Sequence, residues 1–217
     1  MRKICLLTAV AATSILAAPA AFAGNAVLDG DFNNSDPVFT TFSSGSSFGP
    51  WAVTSGSVDL VGGYWQSPSG PNPPTGTNGS VDLDGVSTGA ISQGILGLVD
   101  GKTYTLTFWL SGNPDGPPAT KSVDVSIGSA IDDNFMYTIG TNTHTDMMYT
   151  MESLTFTAGA TNTLSFASQD SASDFGPVIG GVSIAIPEPA TWAMMLLGLA
   201  GLGFAGYRKA RPALSLS

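Results

Sequence analysis

Cysteine and histidine are almost absent from this sequence of 217 residues, which contains one of each. Cys5 stands among the first residues, so the remainder of the chain can form neither a disulfide nor a thiolate metal site. His144 alone cannot supply the ligands of a zinc site. The sequence therefore excludes a cysteine nucleophile and predicts neither a catalytic metal nor an organic cofactor.

Positive charge is scarce between the two ends of the chain. Of the seven Lys and Arg residues, only Lys102 and Lys121 lie between residues 24 and 186, a stretch that holds fifteen of the sixteen acids. Its formal charge is −13. Such a surface repels phosphate backbones, which excludes nucleic acid as a partner, whereas it can meet neutral sugars or cations.

Helical periodicity is missing from residues 24–186, where apolar and polar residues instead alternate along short segments. Turn pairs such as Asp100-Gly101 separate these segments, and the Pro/Gly-rich residues 67–77 cannot form a central strand. The pattern predicts one all-β domain, an antiparallel β-sandwich of the jelly-roll type. Its strands are expected to include residues 102–110, 121–127, 153–157, 163–167 and 178–186.

The first 23 residues have the three parts of a signal peptide. Arg2 and Lys3 form a positive start, and residues 4–18 form an apolar run. Ala21 and Ala23 form a small-x-small cleavage site. The apolar run is too short to span a bilayer comfortably. We therefore predict a signal helix that is removed on export and a mature chain beginning near Gly24.

An uncharged segment near the C-terminus, residues 190–207, is followed by three cations, Arg208, Lys209 and Arg211. A helix of this length, at a rise of ~1.5 Å per residue, spans about 27 Å and can cross the hydrocarbon core of a bilayer. By the positive-inside rule, the cations hold the tail in the cytoplasm and the preceding domain outside. The segment predicts a transmembrane helix that attaches the domain to the membrane.

Pro187-Glu188-Pro189 stands directly before that segment. Its prolines enforce extended backbone and remove amide donors, so the motif predicts an exposed, stiff stem. With the apolar segment and the basic tail, it resembles the PEP-CTERM sorting signal of bacteria that have an outer membrane. The resemblance implies that residues 187–217 are a sorting segment and that an exosortase-type membrane enzyme recognises Pro187, Glu188 and Pro189 and cleaves nearby.

Residues 24–186 also carry a family resemblance. Tyr64-Trp65-Gln66, residues 80–85 (SVDLDG) and residues 112–116 (GNPDG) resemble the bacterial choice-of-anchor C proteins, which are similar to plant cell-wall proteins built of galactose-binding-like jelly rolls. The resemblance implies that fold, an extracellular setting and contact with polysaccharide. It supplies no reaction.

Two positions depart from that family pattern. Asn33 and Gly180-Gly181 stand where such domains usually carry acids that help to bind a structural calcium. The departure implies that the calcium site is weakened or lost here, although three other acids could supply oxygen ligands. Those acids are Asp29, Asp31 and Asp174.

Aromatic residues are the remaining candidates for ligand contact, because sugar rings stack on aromatic faces while amides and carboxylates bind their hydroxyl groups. We predict that Trp51 fills the core. Trp65 has a core and a surface interpretation of equal weight, since strand alternation would turn Tyr64 to the opposite face. The candidate glycan contacts are Tyr64, Trp65, Gln66 and Asp115.

The sequence thus predicts an exported, non-catalytic protein that is sorted to the cell surface and associates with exopolysaccharide or a biofilm matrix. A purely structural or adhesion protein without a sugar site is the alternative. A glycosidase is less favoured, because fifteen acids will place some pair at any required separation and their number alone indicates nothing. His144 lacks an accompanying nucleophile motif and is interpreted as a solvated loop residue.

Overall fold

A computed structural model of the chain describes residues 24–33, 39–62, 64–65, 79–171, 174–186 and 196–204. The predicted signal peptide with Ala21 and Ala23, and the sorting motif Pro187-Glu188-Pro189, lie outside the described residues. The same holds for Gln66 and for Arg208, Lys209 and Arg211.

The described part of residues 24–186 is built from β-strands joined by turns and loops. Thirteen strands are present there: β1 Gly24–Asn25, β2 Phe39–Ser43, β3 Ser47–Phe48, β4 Trp51–Ser55, β5 Ser57–Val61, β6 Ser80–Asp82, β7 Ala90–Gly94, β8 Thr103–Gly112, β9 Thr120–Ile127, β10 Ile131–Thr138, β11 Thr150–Thr157, β12 Thr163–Ser168 and β13 Pro177–Ile186.

The strands form two antiparallel sheets. In the first the order is β11-β8-β13-β6-β5-β2, with β1 paired to β13, and in the second it is β10-β9-β12-β7-β4-β3. The last strand, β13, lies between β8 and β6, and β12 lies between β9 and β7. Strands β6 to β13 therefore have the interleaved order of a jelly roll, which confirms the predicted sandwich. The earlier strands lengthen both sheets.

The core lies between the two sheets and follows the predicted alternation. In β8, the side chains of Tyr104, Leu106, Phe108 and Leu110 are buried. Trp51 of β4 has no exposed surface, and its indole Nε1 donates to the Asp29 carbonyl at 3.1 Å. The prediction that Trp51 belongs to the core is thus confirmed.

A short repeated sequence lies in two neighbouring strands. Residues 56–60 and 79–83 both read Gly-Ser-Val-Asp-Leu, and they contain β5 and β6, which pair antiparallel. Val58 and Val81 enter the core, while Asp59 and Asp82 lie directly opposite each other in the register. Since side chains alternate along a strand, both acids lie on the face of the sheet that points away from the core.

Residues 196–204 are helical and lie within the predicted membrane span, whose other residues are outside the described part of the chain. Over the residues that the structure describes, we find no helix with the length and apolar character needed to cross a membrane. This helix belongs to a separate unit from residues 23–187, which form one compact body.

Candidate functional site

A cavity of about 300 Å³ lies on the outer face of the first sheet, at β2, β5 and β6. Thr41 and Asp59 face each other across β2 and β5, and Asp82 follows on β6, so three polar side chains run side by side across the sheet. Loops before β6 and β13 and after β6 and β8 complete the walls. The remaining lining residues are Phe39, Val61, Tyr64, Trp65, Gly85, Val86, Asn113, Asp115, Asp174 and Phe175.

Three aromatic rings follow one another along the cavity. The ring of Tyr64 lies 6.2 Å from that of Phe39 and 6.2 Å from that of Trp65. Tyr64 is 37% exposed and Phe39 is 44% exposed, whereas Trp65 is 5% exposed and packs with Val61 and Val178 in a second apolar cluster. The rings of Tyr64 and Phe39 therefore offer the solvent-accessible surface.

The prediction that Tyr64 and Trp65 point to opposite faces is wrong. The two residues lie in a turn after β5, outside any strand, so the alternation of strand side chains does not apply to them. Both side chains line the same cavity as Asp115. Of the four candidate glycan contacts, the fold thus places three together, and the fourth, Gln66, lies outside the described residues.

His144 lies in a loop, as the sequence suggested, and its side chain is 34% exposed, but it also contacts two residues of the cavity. Its Nε2 lies 2.6 Å from Oδ1 of Asp115, and its ring lies 4.5 Å from that of Tyr64. A loop between β10 and β11 brings it there. The contacts hold Asp115 and Tyr64 at the edge of the cavity, so His144 supports the site through these two residues.

Asp82 lines the cavity although its side chain has no exposed surface. Its carboxylate accepts from the amides of Asp84 and Gly176, each at 3.0 Å, and from Nδ2 of Asn113 at 2.7 Å. Burial nevertheless raises the pKa of Asp82 well above its ordinary value, and the neighbouring Asp84 adds to the rise. These bonds fix the loops after β8 and before β13 around the carboxylate.

A buried polar cluster, defined here as Asp82, Asp84, Lys121 and Asp170, lies at this end of the sandwich. Lys121 Nζ donates to the Gly116 carbonyl at 3.0 Å and to the Phe175 carbonyl. Burial lowers the pKa of Lys121, which the three surrounding carboxylates partly oppose. A lysine from β9 therefore serves as the internal counterion of acids from two other parts of the chain, the end of β6 and the loop after β12.

Asp84 is the least compensated member of the buried polar cluster. It has no exposed surface, and neither carboxylate oxygen has a hydrogen-bond partner within bonding distance among the described residues. Burial raises the pKa of Asp84 to about 6, and the Ser168 hydroxyl and the Lys121 charge offset part of the rise. A Cβ on Gly176 would lie 2.7 Å from the Asp84 carboxyl carbon, so only glycine permits this close packing.

The acids suggested for calcium do not come together. In the described part of the chain, no three side chains of His, Cys, Asp or Glu form a group suited to a metal ion. Asp29 instead accepts from the backbone and side-chain amides of Asn33, while Asp174 lines the cavity. Gly180-Gly181 forms a register shift in the pairing of β13 with β8, and Gly181 has a φ of 53°.

A second cavity, of about 430 Å³, lies between residues 94–100 and residues 159–163. Its lining contains one carboxylate, Asp100, and no aromatic ring. Recognition sites combine apolar surface with a few convergent polar groups. The first cavity meets this description better and is the candidate site.

Comparisons with solved structures give weak likenesses. The enzymatically active domain of tailspike protein 4 of bacteriophage CBA120 has a TM-score of 0.43 at 17% identity, covering 75% of this chain and 21% of that chain. A family 35 carbohydrate-binding module from Clostridium thermocellum has a TM-score of 0.39 at 13% identity, covering 58% of this chain and 87% of that chain. Likeness at this level assigns neither an activity nor a ligand to this chain.

Comparisons of sequence are more informative. Halomucin of Haloquadratum walsbyi is 30% identical in an alignment of 165 residues that covers 71% of this chain and 2% of halomucin, so the chain spans a very small part of that relative. The PEP-CTERM protein-sorting motif matches residues 185–209 and implies a secreted protein that crosses the membrane and is sorted by exosortase. The profile of a protein family of unknown function, DUF642, matches residues 25–185. The chain belongs to the DUF642 family and carries a PEP-CTERM sorting motif.

Proposed function

We propose that this exported protein binds an extracellular polysaccharide through the cavity at Tyr64, and does so at the cell surface or in the surrounding matrix. In this proposal residues 1–23 are the signal peptide, residues 24–186 the binding domain and residues 187–217 the sorting segment, with a membrane helix over 190–207. Membership of the choice-of-anchor C group is part of the same proposal.

The observation that carries the proposal is the combination of exposed aromatic surface and carboxylates in one cavity. Phe39 and Tyr64 offer apolar faces, on which the CH groups of a sugar ring can stack. Asp59, Asp115 and Asp174 offer acceptors to its hydroxyl groups. The cavity volume of about 300 Å³ is at the small end of the range for ligand sites and suits on the order of one or two sugar rings.

A binding role has more support than a hydrolytic one. Asp82 is buried and holds three donors, so its carboxylate is engaged in maintaining the loops. Asp115 is bonded to His144, and Asp59 accepts from the hydroxyl of Thr41. Hydrolysis needs two carboxyl groups on either side of one glycosidic bond, one of them able to give up a proton.

Replacing Tyr64 by Ala is expected to weaken glycan binding about tenfold, because an aromatic contact is worth roughly 1 to 1.5 kcal/mol. The measurement is binding of full-length protein, purified in detergent, to a glycan array, followed by titration with the best ligand. Leu96→Ala is the matched control, since Leu96 is 76% exposed and lines the second cavity.

Absence of binding on the array and in polysaccharide pull-downs would leave the structural or adhesion alternative. Equal losses in Tyr64→Ala and Leu96→Ala would place binding away from the candidate site. Release of new reducing ends from the bound glycan would instead identify an enzyme.

The sorting proposal has a separate test. Changing Pro187-Glu188-Pro189 to three alanines should prevent recognition by the processing enzyme and retain the protein in the membrane fraction. The measurement compares the sizes and amounts of released and membrane-bound protein in the native host. Release of the variant at the normal rate would contradict the proposal.

A further inference from the structure

Of the acids that line the cavity, only Asp82 has a lysine near it among the described residues, the buried Lys121. Four acids line the cavity: Asp59, Asp82, Asp115 and Asp174. Only two lysines and no arginine occur between residues 24 and 186. Lys121 is buried and donates to two carbonyl groups. Lys102 precedes β8, whereas Asn113 of the cavity follows it, and a strand of ten residues separates them by roughly 30 Å.

The hydrogen-bond partners of these acids are almost all neutral. Asp59 accepts from Thr41, and Asp82 accepts from two amides and the Asn113 side chain. His144 at Asp115 is the titratable partner. Asp59 and Asp174 are close enough to raise the pKa of Asp59 by mutual repulsion, in addition to the larger effect of burial. Among the described residues no lysine or arginine forms an ion pair with Asp59, Asp115 or Asp174, so these three acids give the cavity a negative potential.

A further feature of the cavity favours a cationic ligand. The faces of Phe39 and Tyr64 attract cations as well as CH groups. Trp65 also lines the cavity, and its buried indole N–H has no acceptor among the described residues. A ligand that combines an ammonium group with hydroxyl groups would meet the carboxylates and the exposed rings together.

Resting on the proposed function, we propose that the cavity selects glycans with free amino groups, that is, polymers of deacetylated hexosamine. Protonated amines would form charge-assisted hydrogen bonds with Asp59 and Asp174, which are roughly twice as strong as neutral ones. Uronic acid polymers and phosphorylated glycans would be repelled by the same carboxylates. N-acetylated hexosamines would keep the stacking contacts and lose the charge.

The experiment compares oligomers with one backbone and different charge. Hexamers of glucosamine and of N-acetylglucosamine, with an oligomer of a uronic acid as the anionic case, are titrated into full-length protein by calorimetry at low and high salt. We expect the glucosamine hexamer to bind about tenfold more tightly than the acetylated one, and this advantage to shrink with salt because exposed charges are screened.

Two variants test whether the charge of a carboxylate, rather than its shape, determines the selection. Asp174→Asn should weaken binding of the glucosamine hexamer several-fold more than binding of the acetylated hexamer, because the amide can still bond to hydroxyl groups but carries no charge. Asp133→Asn on β10 of the other sheet, also exposed, is the control and should alter neither.

Equal binding of the two hexamers, or an equal loss of both in Asp174→Asn, would overturn the selection for amines and leave glycan binding intact. Tighter binding of the uronic acid oligomer, or binding abolished by a chelator, would overturn it in favour of a bound divalent cation. Failure of every glycan to bind, here and on the array, would overturn the proposed function itself.

Discussion

Replacing Lys121 by Ala is expected to lower the free energy of unfolding by about 3 to 5 kcal/mol, the usual consequence of leaving buried charges without their partner. The ammonium group satisfies the carbonyls of Gly116 and Phe175 and balances the buried acids around it. Its loss removes a donor from each of these two carbonyl groups and raises the repulsion among the carboxylates. The measurement is urea unfolding followed by tryptophan fluorescence, in wild type and variant.

Two other substitutions test whether the loss of stability comes from the missing charge of Lys121. Lys121→Met retains most of the apolar stem and should lose nearly as much stability, because the charge rather than the packing is removed. Lys102→Ala removes the other lysine of the domain, which is exposed, and should change stability by no more than about 0.5 kcal/mol. Equal stability of wild type and Lys121→Met would show that the ammonium is not needed.

Stability should also fall as the pH rises from about 4 to about 6, in contrast to many proteins. Burial raises the pKa of Asp84 to about 6 from 3.8, so in this window the folded state holds a proton that the unfolded state has released. Proton binding to the folded state stabilises it at the acidic end, and the stabilisation is lost as the pH passes the folded pKa. Asp84 alone lowers the free energy of unfolding by about 3 kcal/mol at most across this pH range.

The other perturbed acids act in the same direction. Burial raises the pKa of Asp59, Asp82, Asp124 and Asp170 as well. Asp84→Asn should remove the contribution of Asp84, so the free energy of unfolding should depend less steeply on pH. Compared with wild type, the variant should be most stable near neutral pH. Unfolding curves at a series of pH values test this, and a wild-type stability that increases steadily from pH 4 to pH 7 would contradict it.

The fold could be predicted where apolar and polar residues alternate regularly. Strands β8, β9 and β12 have such alternation because one face of each lies against the core. Strand β2 was not predicted, since its residues are Phe, Thr and Ser on a largely exposed edge and show no clear period. An edge strand that buries few side chains does not need alternating hydrophobic residues, so the hydrophobic pattern does not identify it.

The candidate site could be predicted in part. Tyr64, Trp65 and Asp115 were identified by residue type and motif, and they meet in one cavity. Asp59 was missed and Asp174 was considered only as a calcium ligand, because 115 positions separate them and only the fold brings them together. The repeated Gly-Ser-Val-Asp-Leu was the available signal, as two copies on paired strands place their acids side by side.

Lys121 shows a different limit of sequence analysis. It begins an alternating segment, where a lysine ordinarily extends into solvent. Here its stem packs against Gly112, whose missing side chain provides the room, since a Cβ would lie 2.7 Å from the Lys121 Cγ. Its burial depends on the loops that contain Gly116 and Phe175, and their positions follow from tertiary contacts alone.

The pairing of β1 with β13 places Gly24 opposite Ile186, so the polypeptide enters and leaves the sandwich at adjacent positions. Paired residues on neighbouring strands are roughly 5 Å apart at their Cα atoms. A few linking residues would therefore suffice to close the domain into a ring and reopen it at another loop, as in circular permutation. The same geometry allows the module to be inserted whole into a surface loop of an unrelated scaffold, where it would displace the flanking chain very little.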